Sequence, residues 1–495
     1  MIKSILLSTI VLNVGLLLGR LSGFVRESIV ATTYGTSSQA DIVVLMLTVP
    51  DLLVNILVGG AMGAVLIPEF NSSSGNAKKL LFQAAVFFGI VFTLISTLLY
   101  WQSYTLVELL APGFEDTQTL QASVGLGWVM WLVPLTVLAG IVTAYLHSKN
   151  KFAIASLGTL IINITIIAGL LLVYFGFGSI FWVAMFVLLG GALRLLSQLI
   201  SVGVKWNPVQ SFDSILLNKG ILLRYMQALL SGSILLFIPV LARAYASYSG
   251  EGSVAIMNYS TRLIEFPLAI AITVFTVTLF PRLSDSFTNN KKLYNKLVSY
   301  GSQATLGISI LIMIALILLS SHYVGVVFNY GHMQTEDLFT IQQLISIGLF
   351  ALPLQGMSFF LTAVFHSQKN TKVPLIINST GLLVFILIYI NSIFGNDLES
   401  IMWAMVCSYG LTFVLQLFLL KIDDLRIGQV FLNSEFVAGL LVSSVTLYLL
   451  VTWVNNANFN SIITLFIAVL VGLISLVILA VFNQEFRVLI KNKVL

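Results

Sequence analysis

LFALPLQGMSFFLTAVFHS, residues 349–367, repeats the plan of WLVPLTVLAGIVTAYLHS, residues 131–148. Pro134 pairs with Pro353, Thr143 with Thr362, His147 with His366 and Ser148 with Ser367, all at an offset of 219. Upstream, Pro68, Lys78, Lys79 and Leu80 pair with Pro281, Lys291, Lys292 and Leu293 at an offset of 213. Pro50 pairs with Pro267 and Arg26 with Arg243 at an offset of 217. Unrelated apolar segments share composition by chance. Ordered matches of Pro, Lys, His and Arg with a slowly drifting offset mark a duplication instead.

The duplicated chain lies in a membrane. Of its 495 residues, 58% are hydrophobic and 9% charged, where a soluble protein carries about 25% charged. The apolar runs are near 20 residues, the length of a spanning helix and about twice that of a barrel strand. We expect an all-α polytopic membrane protein of fourteen transmembrane helices. The spans fall near 4–22, 40–67, 80–100, 122–146, 153–175, 179–202, 221–246, 254–281, 298–320, 340–365, 374–394, 400–420, 434–454 and 460–482. The first is read as a retained span, because no small-residue cleavage site follows Lys3 and its apolar run.

Loop charges alternate. One set holds Lys78, Lys79, Lys149, Lys151, Lys205, Lys219, Arg282, Lys291, Lys369, Lys372, Lys421, Arg426 and Arg487; the other holds Glu108, Glu115, Asp116, Glu251, Glu336, Asp337, Asp397 and Glu399. The basic set, with both termini, is expected in the cytoplasm. Six spans separate the repeat mates, an even number, so the halves have one orientation and form two parallel six-helix repeats, a transporter architecture. The expected organisation is a lobe at 1–204, a cytoplasmic connector at 205–220, a second lobe at 221–422, and two additional helices with a tail at 423–495.

Charge inside the spans is the functional signal. A charged side chain at the bilayer centre costs at least about 2.5 kcal/mol, so such groups face a cavity or a partner. Arg194 and Arg224 are expected to snorkel to the cytoplasmic interface. Arg20, about 25 Å along the first span, and Arg26, Arg243 and Arg262 sit in the outer half. The structural alternative makes them interfacial anchors or ion pairs, such as Arg26 with Asp41 and Arg262 with Glu265. The set as a whole favours a common anion cavity, since guanidinium forks bind phosphate or diphosphate bidentately. His147 and His366 are expected to pack at helix ends. VGGAMGAV, 58–65, is expected to allow close helix packing. Metal-protease and nucleotide-binding motifs and paired catalytic carboxylates are absent from the sequence, so no enzyme activity, metal or cofactor is expected. A single cysteine, Cys407, excludes an intrachain disulfide. The net charge of +5 reflects topology rather than nucleic-acid binding.

GRLSGFVRE (19–27), Ala40-Asp41, VPDLL (49–53), APGF (111–114) and STRLIEFP (260–267) resemble the MurJ/MviN lipid II flippase family of the multidrug/oligosaccharidyl-lipid/polysaccharide (MOP) exporter superfamily. The similarity runs from the first span through about the twelfth. It implies export of an undecaprenyl-diphosphate-linked peptidoglycan precursor across the bacterial inner membrane by alternating access, with the cavity residues falling on Arg20, Arg26, Asp41 and Arg262, and Glu265 beside them. The chain departs from the family pattern at Val54, Asn55, Gly59 and Thr261. Arg243 is not carried over from the family; it adds positive charge of this chain's own. Spans seven and eleven hold no Asp or Glu for a family-type sodium site.

The expected substrate-binding set is therefore Arg20, Arg26, Asp41, Arg243, Arg262 and Glu265. The expected partners are a polyprenyl-diphosphate-linked saccharide, the lipid bilayer, and a coupling ion or the membrane potential. The alternatives are a flippase for another polyprenyl-linked glycan (an O-antigen or exopolysaccharide unit), a cation-coupled drug exporter, and a non-transporting scaffold. A drug-cation pocket would be acidic and aromatic, and a scaffold would leave the arginines without a purpose.

Overall fold

The computed structural model describes residues 2–53, 56, 62–72, 76–203, 216–423, 425, 427–457 and 459–482. These residues form helices joined by short turns, with no strand among them. They divide into two compact units: Met1–Ala255 with Gly331–Met333, and Ile256–Tyr330 with Gln334–Leu495. The first unit contains α1 (Ile2–Tyr34), α2 (Ser38–Leu53), α3 (Gly63–Ser72), α4 (Ala77–Trp101), α5 (Ser103–Leu110), α6 (Asp116–Met130), α7 (Leu132–Ser148), α8 (Ala153–Ser156), α9 (Gly158–Tyr174), α10 (Ile180–Val202), α11 (Lys219–Ser233) and α12 (Phe237–Ala246). Helix α13 (Ser253–Pro267) starts in it and continues into the second. The second unit adds α14 (Val274–Asn289), α15 (Lys291–Leu318), α16 (Ser320–Phe328), α17 (Thr335–Gly348), α18 (Ala351–Ser367), α19 (Lys372–Ile390), α20 (Leu398–Leu419), α21 (Ile427–Phe431), α22 (Ser434–Asn456) and α23 (Ser461–Phe482).

The division differs from the expected boundary at 205–220. Ile221 and Tyr225 of α11 are buried in the same core as Phe70, Leu80, Phe88 and Tyr145, so apolar contact holds α11 in the first unit. Residues 204–215 of the expected connector lie outside the described residues, as do Val54, Asn55 and Gly59. In the second unit one core gathers Leu283, Val298, Phe360 and Phe365. Another gathers Leu311, Phe436, Leu447, Val451 and Leu479, so α22 and α23, which the repeat does not account for, pack on α15.

Among the described residues, eight helices are long and apolar enough to cross a membrane, or ten if each of two bent pairs is one span. Several expected spans are not single rods. The first helix runs 33 residues to Tyr34, well past the expected end at 22. The second span is α2 and α3, the seventh is α11 and α12 joined by a 3₁₀ turn at Ile234–Leu236, and the eighth is α13 and α14 joined by a π-helical turn at Leu268–Thr273.

Proline sets one of these breaks and two further helix boundaries. It has no N–H and its ring clashes with the carbonyl four residues back. Pro134 and Pro353 are each the third residue of a helix, α7 and α18. The carbonyls four back belong to Met130 and Leu349, where the preceding helices end or have just ended. The α17–α18 pair bends by 47° there. In lipid a freed carbonyl must find a partner within the protein. The Ser96 hydroxyl donates to the Met130 carbonyl. Pro267 in α13 frees the carbonyl of Leu263, which accepts the Tyr323 hydroxyl at 3.1 Å.

The repeat extends to hydrogen bonds. After α7, Asn150 (φ 56) donates to the His147 carbonyl and Lys151 to that of Leu146; after α18, Lys369 (φ 59) donates to His366 and Asn370 to Phe365. Both ends are left-handed Schellman turns. The Ser148 and Ser367 hydroxyls bond Tyr145 and Val364 in the same register. The two histidines are half-buried at these helix ends, His147 against the Phe152 ring at 5.1 Å.

Ser96→Ala and Tyr323→Phe each remove the donor and leave a buried carbonyl unsatisfied. Each should lower stability by about 1–3 kcal/mol, read as a lower thermal unfolding midpoint of the purified protein. Midpoints equal to wild type would mean that the carbonyls find other partners.

Candidate functional site

Within the first unit, α1 carries Arg20 and Arg26 in a continuous helix rather than at the mouth of a loop. Arg20 is half-buried. Arg26 is 3% exposed, and its guanidinium is gripped on both sides. Nη1 donates to Asp51 Oδ1 and Asn163 Oδ1, each at 3.1 Å; Nη2 donates to Glu27 Oε1 at 2.7 Å and Asp51 Oδ2 at 2.8 Å. The fork is thus bidentate on Asp51, and Glu27 adds a second carboxylate. The expected alternative partner, Asp41, is not the one used.

The sequence reading missed Glu27, Asp51 and Asn163 as partners. Asp51 directly follows Pro50, near the end of α2. Asn163 had a signal of its own: it ends LIIN, 160–163, which recurs as LIIN at 375–378. Asn163 and Asn378 are both buried. Asn163 also donates to the Gly19 carbonyl and the Ser22 hydroxyl, which holds α9 against α1.

Asp41 is 1% exposed and works on backbone. Its Oδ2 accepts the Gly252 N–H at 2.7 Å and its Oδ1 the Ala255 N–H at 2.8 Å, at the start of α13. A carboxylate at a helix N-terminus meets unsatisfied donors and the positive end of the dipole. The arrangement is reciprocal, because Glu251 Oε1 accepts the N–H of Ser38, the first residue of α2, at 2.7 Å. Each segment caps the other's helix. Gly252 sits at φ +80, and a Cβ there would lie 2.0 Å from the Thr36 carbonyl oxygen, so no other residue fits the turn.

Arg243 is buried in the last turn of α12. Arg224 is exposed and paired with Glu69 at 2.5 Å. Arg194 does not snorkel: it is 3% exposed, against the expectation, because its side chain lies across Gly158 and not along the helix to the surface.

In the second unit, Arg262 Nη1 lies 3.6 Å from Glu265 Oε2, the expected (i, i+3) pair, with 25% and 34% of the side chains exposed. Glu265 lines a cleft with Thr261, Ala351, Gln355, Met402 and Tyr409. Both residues sit on the last turns of α13 before Pro267 and the π-helical turn.

Long apolar helices, several of them bent or broken and with ionisable side chains on the broken elements, define a polytopic helical membrane protein. A solved inward-facing multidrug resistance MATE family transporter of the MOP superfamily superposes with a TM-score of 0.70 at 13% identity, over 84% of this chain and 96% of that one. A structure described as "Lipid II flippase MurJ, inward closed conformation" superposes with a TM-score of 0.79 at 21% identity, over 96% of this chain and 99% of that one. The chain belongs to the MurJ family: the family model described as "Lipid II flippase MurJ" matches residues 30–470. The probable lipid II flippase MurJ of Buchnera aphidicola subsp. Acyrthosiphon pisum (strain APS) is 27% identical over 374 residues, 72% of each chain. That of Aquifex aeolicus (strain VF5) is 24% identical over 403 residues, 79% of this chain and 77% of the relative.

Two stability predictions follow from the geometry. Arg26→Ala leaves Glu27 and Asp51 facing one another and should cost about 3–5 kcal/mol, with Glu27→Gln in the same chain recovering part of it; no recovery would mean that Glu27 is not held by Arg26. Asp41→Ala should accelerate amide exchange at Gly252 and Ala255, the two N–H groups it releases. Unchanged protection at both would remove the capping role.

Proposed function

We propose that this chain is a flippase that moves undecaprenyl-diphosphate-linked peptidoglycan precursor, lipid II, across the bacterial inner membrane by alternating access. Fourteen spans with both termini cytoplasmic follow from the alternation of loop charge. Its role is transport without a chemical step. The observation that carries the reading is the family match over residues 30–470, in a chain that keeps arginines on its spans.

Arg20, Arg26, Arg243 and Arg262 supply the positive charge that a diphosphate needs. Arg262 is the partly exposed fork, and Glu265, one turn away, orients it. Arg26 has both arms on carboxylates, so it joins the substrate by exchange: a phosphate presents the same pair of oxygens that Asp51 presents now. Asp41 takes part at one remove, as a positioning residue that caps α13, the helix on which Arg262 and Glu265 lie. A coupling ion or the membrane potential drives the cycle.

Expression in a bacterium depleted of its own lipid II flippase tests the reading, and growth is the expected result. Arg262→Lys keeps the charge but loses the fork, and should support slowed growth; Arg262→Ala should support little or none. Adding Glu265→Ala to Arg262→Ala should not restore growth, because the substrate's partner is still missing. Failure of the wild-type chain here, with rescue of a strain lacking an O-antigen flippase, would assign it to another polyprenyl-linked glycan. Full growth by the double variant at wild-type membrane levels would reduce Arg262 to a structural role.

A further inference from the structure

Helices α9 and α10 form a close hairpin. Gly169 meets Phe186, Gly190 meets Ile162 and Thr165, and Gly158 meets Arg194, each so tightly that a Cβ would collide. At Gly158 the added atom would lie 2.7 Å from Arg194 Nε and 3.2 Å from its Cδ. The glycine is thus a cradle for a guanidinium at the start of α9. Arg194 lies eight residues before the Val202 end of α10, about 12 Å at helical rise.

Among the described residues this arginine has no counter-charge: no carboxylate forms an ion pair with it, and its Nε and Nη1 are buried without a hydrogen-bond partner. Gln198, one turn on and on the same face, is fully buried with neither amide atom bonded. Leu195 and Leu199, their neighbours on α10, pack into the α3–α4–α7 core, which leaves Arg194 and Gln198 on the flank toward α9. Helix α9 begins at Gly158 with no side-chain cap. A cation beside the positive end of a helix is repelled, whereas an anion there is stabilised by both. Buried charge is normally paired or hydrogen-bonded.

We propose that Arg194, Gln198 and the start of α9 form a buried binding site for one small monovalent anion of the halide class. One guanidinium balances one negative charge. A dianionic phosphate would leave a charge uncompensated, and the site lies too far from the helix end for a lipid headgroup to reach it. The Gln198 amide NH₂ supplies a second side-chain donor. The anion closes the α1–α9–α10 side of the first unit, remote in role from substrate binding, and the site stands or falls independently of what the protein transports.

The test is thermal unfolding of the purified full-length protein in sodium chloride, sodium bromide and sodium gluconate at matched ionic strength, which cancels general screening. The midpoint should be higher in the two halides than in gluconate. Arg194→Gln should abolish the difference, and Arg224→Gln, at an exposed pair, should keep it. Gln198→Met should raise the half-saturating halide concentration about tenfold or more, the loss of one hydrogen bond to a charged group. If Arg194→Gln does not fold, Gln198→Met and the anomalous signal of bromide in crystals decide: a peak within hydrogen-bond distance of Arg194 supports the site. Equal wild-type midpoints in all three salts, a halide effect unchanged in Arg194→Gln or Gln198→Met, or ordered bromide only elsewhere would overturn it.

Discussion

In a bilayer, a backbone carbonyl without an in-chain partner has no water to turn to, and this constraint shapes the whole structure. Prolines break the helical ladder at repeated positions. Each break would leave a stranded carbonyl, and hydroxyl groups from neighbouring helices meet two of them, at Met130 and Leu263. The broken spans are therefore not weak points. They let helices bend at defined residues, and they put Arg262 and Glu265 on the last turns before a break.

Ionisable groups obey the same rule. Arg26 meets two carboxylates and an asparagine, and Asp41 meets two backbone N–H groups. Each arrangement neutralises a charge that lipid would not tolerate, yet each rests on contacts that another anion or another backbone geometry could replace. That is the physical requirement for a membrane transporter: charge stable in place, with partners that are exchangeable in kind. Arg262 with Glu265 represents the looser case, a longer and partly exposed pair.

The legible part of the sequence was its periodic and duplicated content. The 219-residue offset marked the matching starts of α7 and α18, because Pro134 and Pro353 act through local backbone geometry. It reached as far as the left-handed turns at Asn150 and Lys369. The Arg262–Glu265 pair was legible for the same reason, since three-residue spacing on a helix fixes proximity. Where the reading depended on which helices touch, it missed. Sequence spacing offers Asp41 as an alternative partner for Arg26, but the guanidinium is held by Glu27, Asp51 and Asn163, and Arg194, expected at the surface, lies buried against Gly158.

The sequence by itself determined a membrane-embedded helical chain, its duplication, the matched positions of its prolines and the set of ionisable residues, because hydropathy, repeat spacing and residue identity are local properties. Only the tertiary structure decided that the first unit runs on to Ala255, that α22 and α23 pack on α15, and that Asp41 and Glu251 cap each other's helices. Those outcomes depend on contacts between residues up to 214 positions apart. Which side chains meet at that range is set by packing between helices, and no spacing along the chain encodes it.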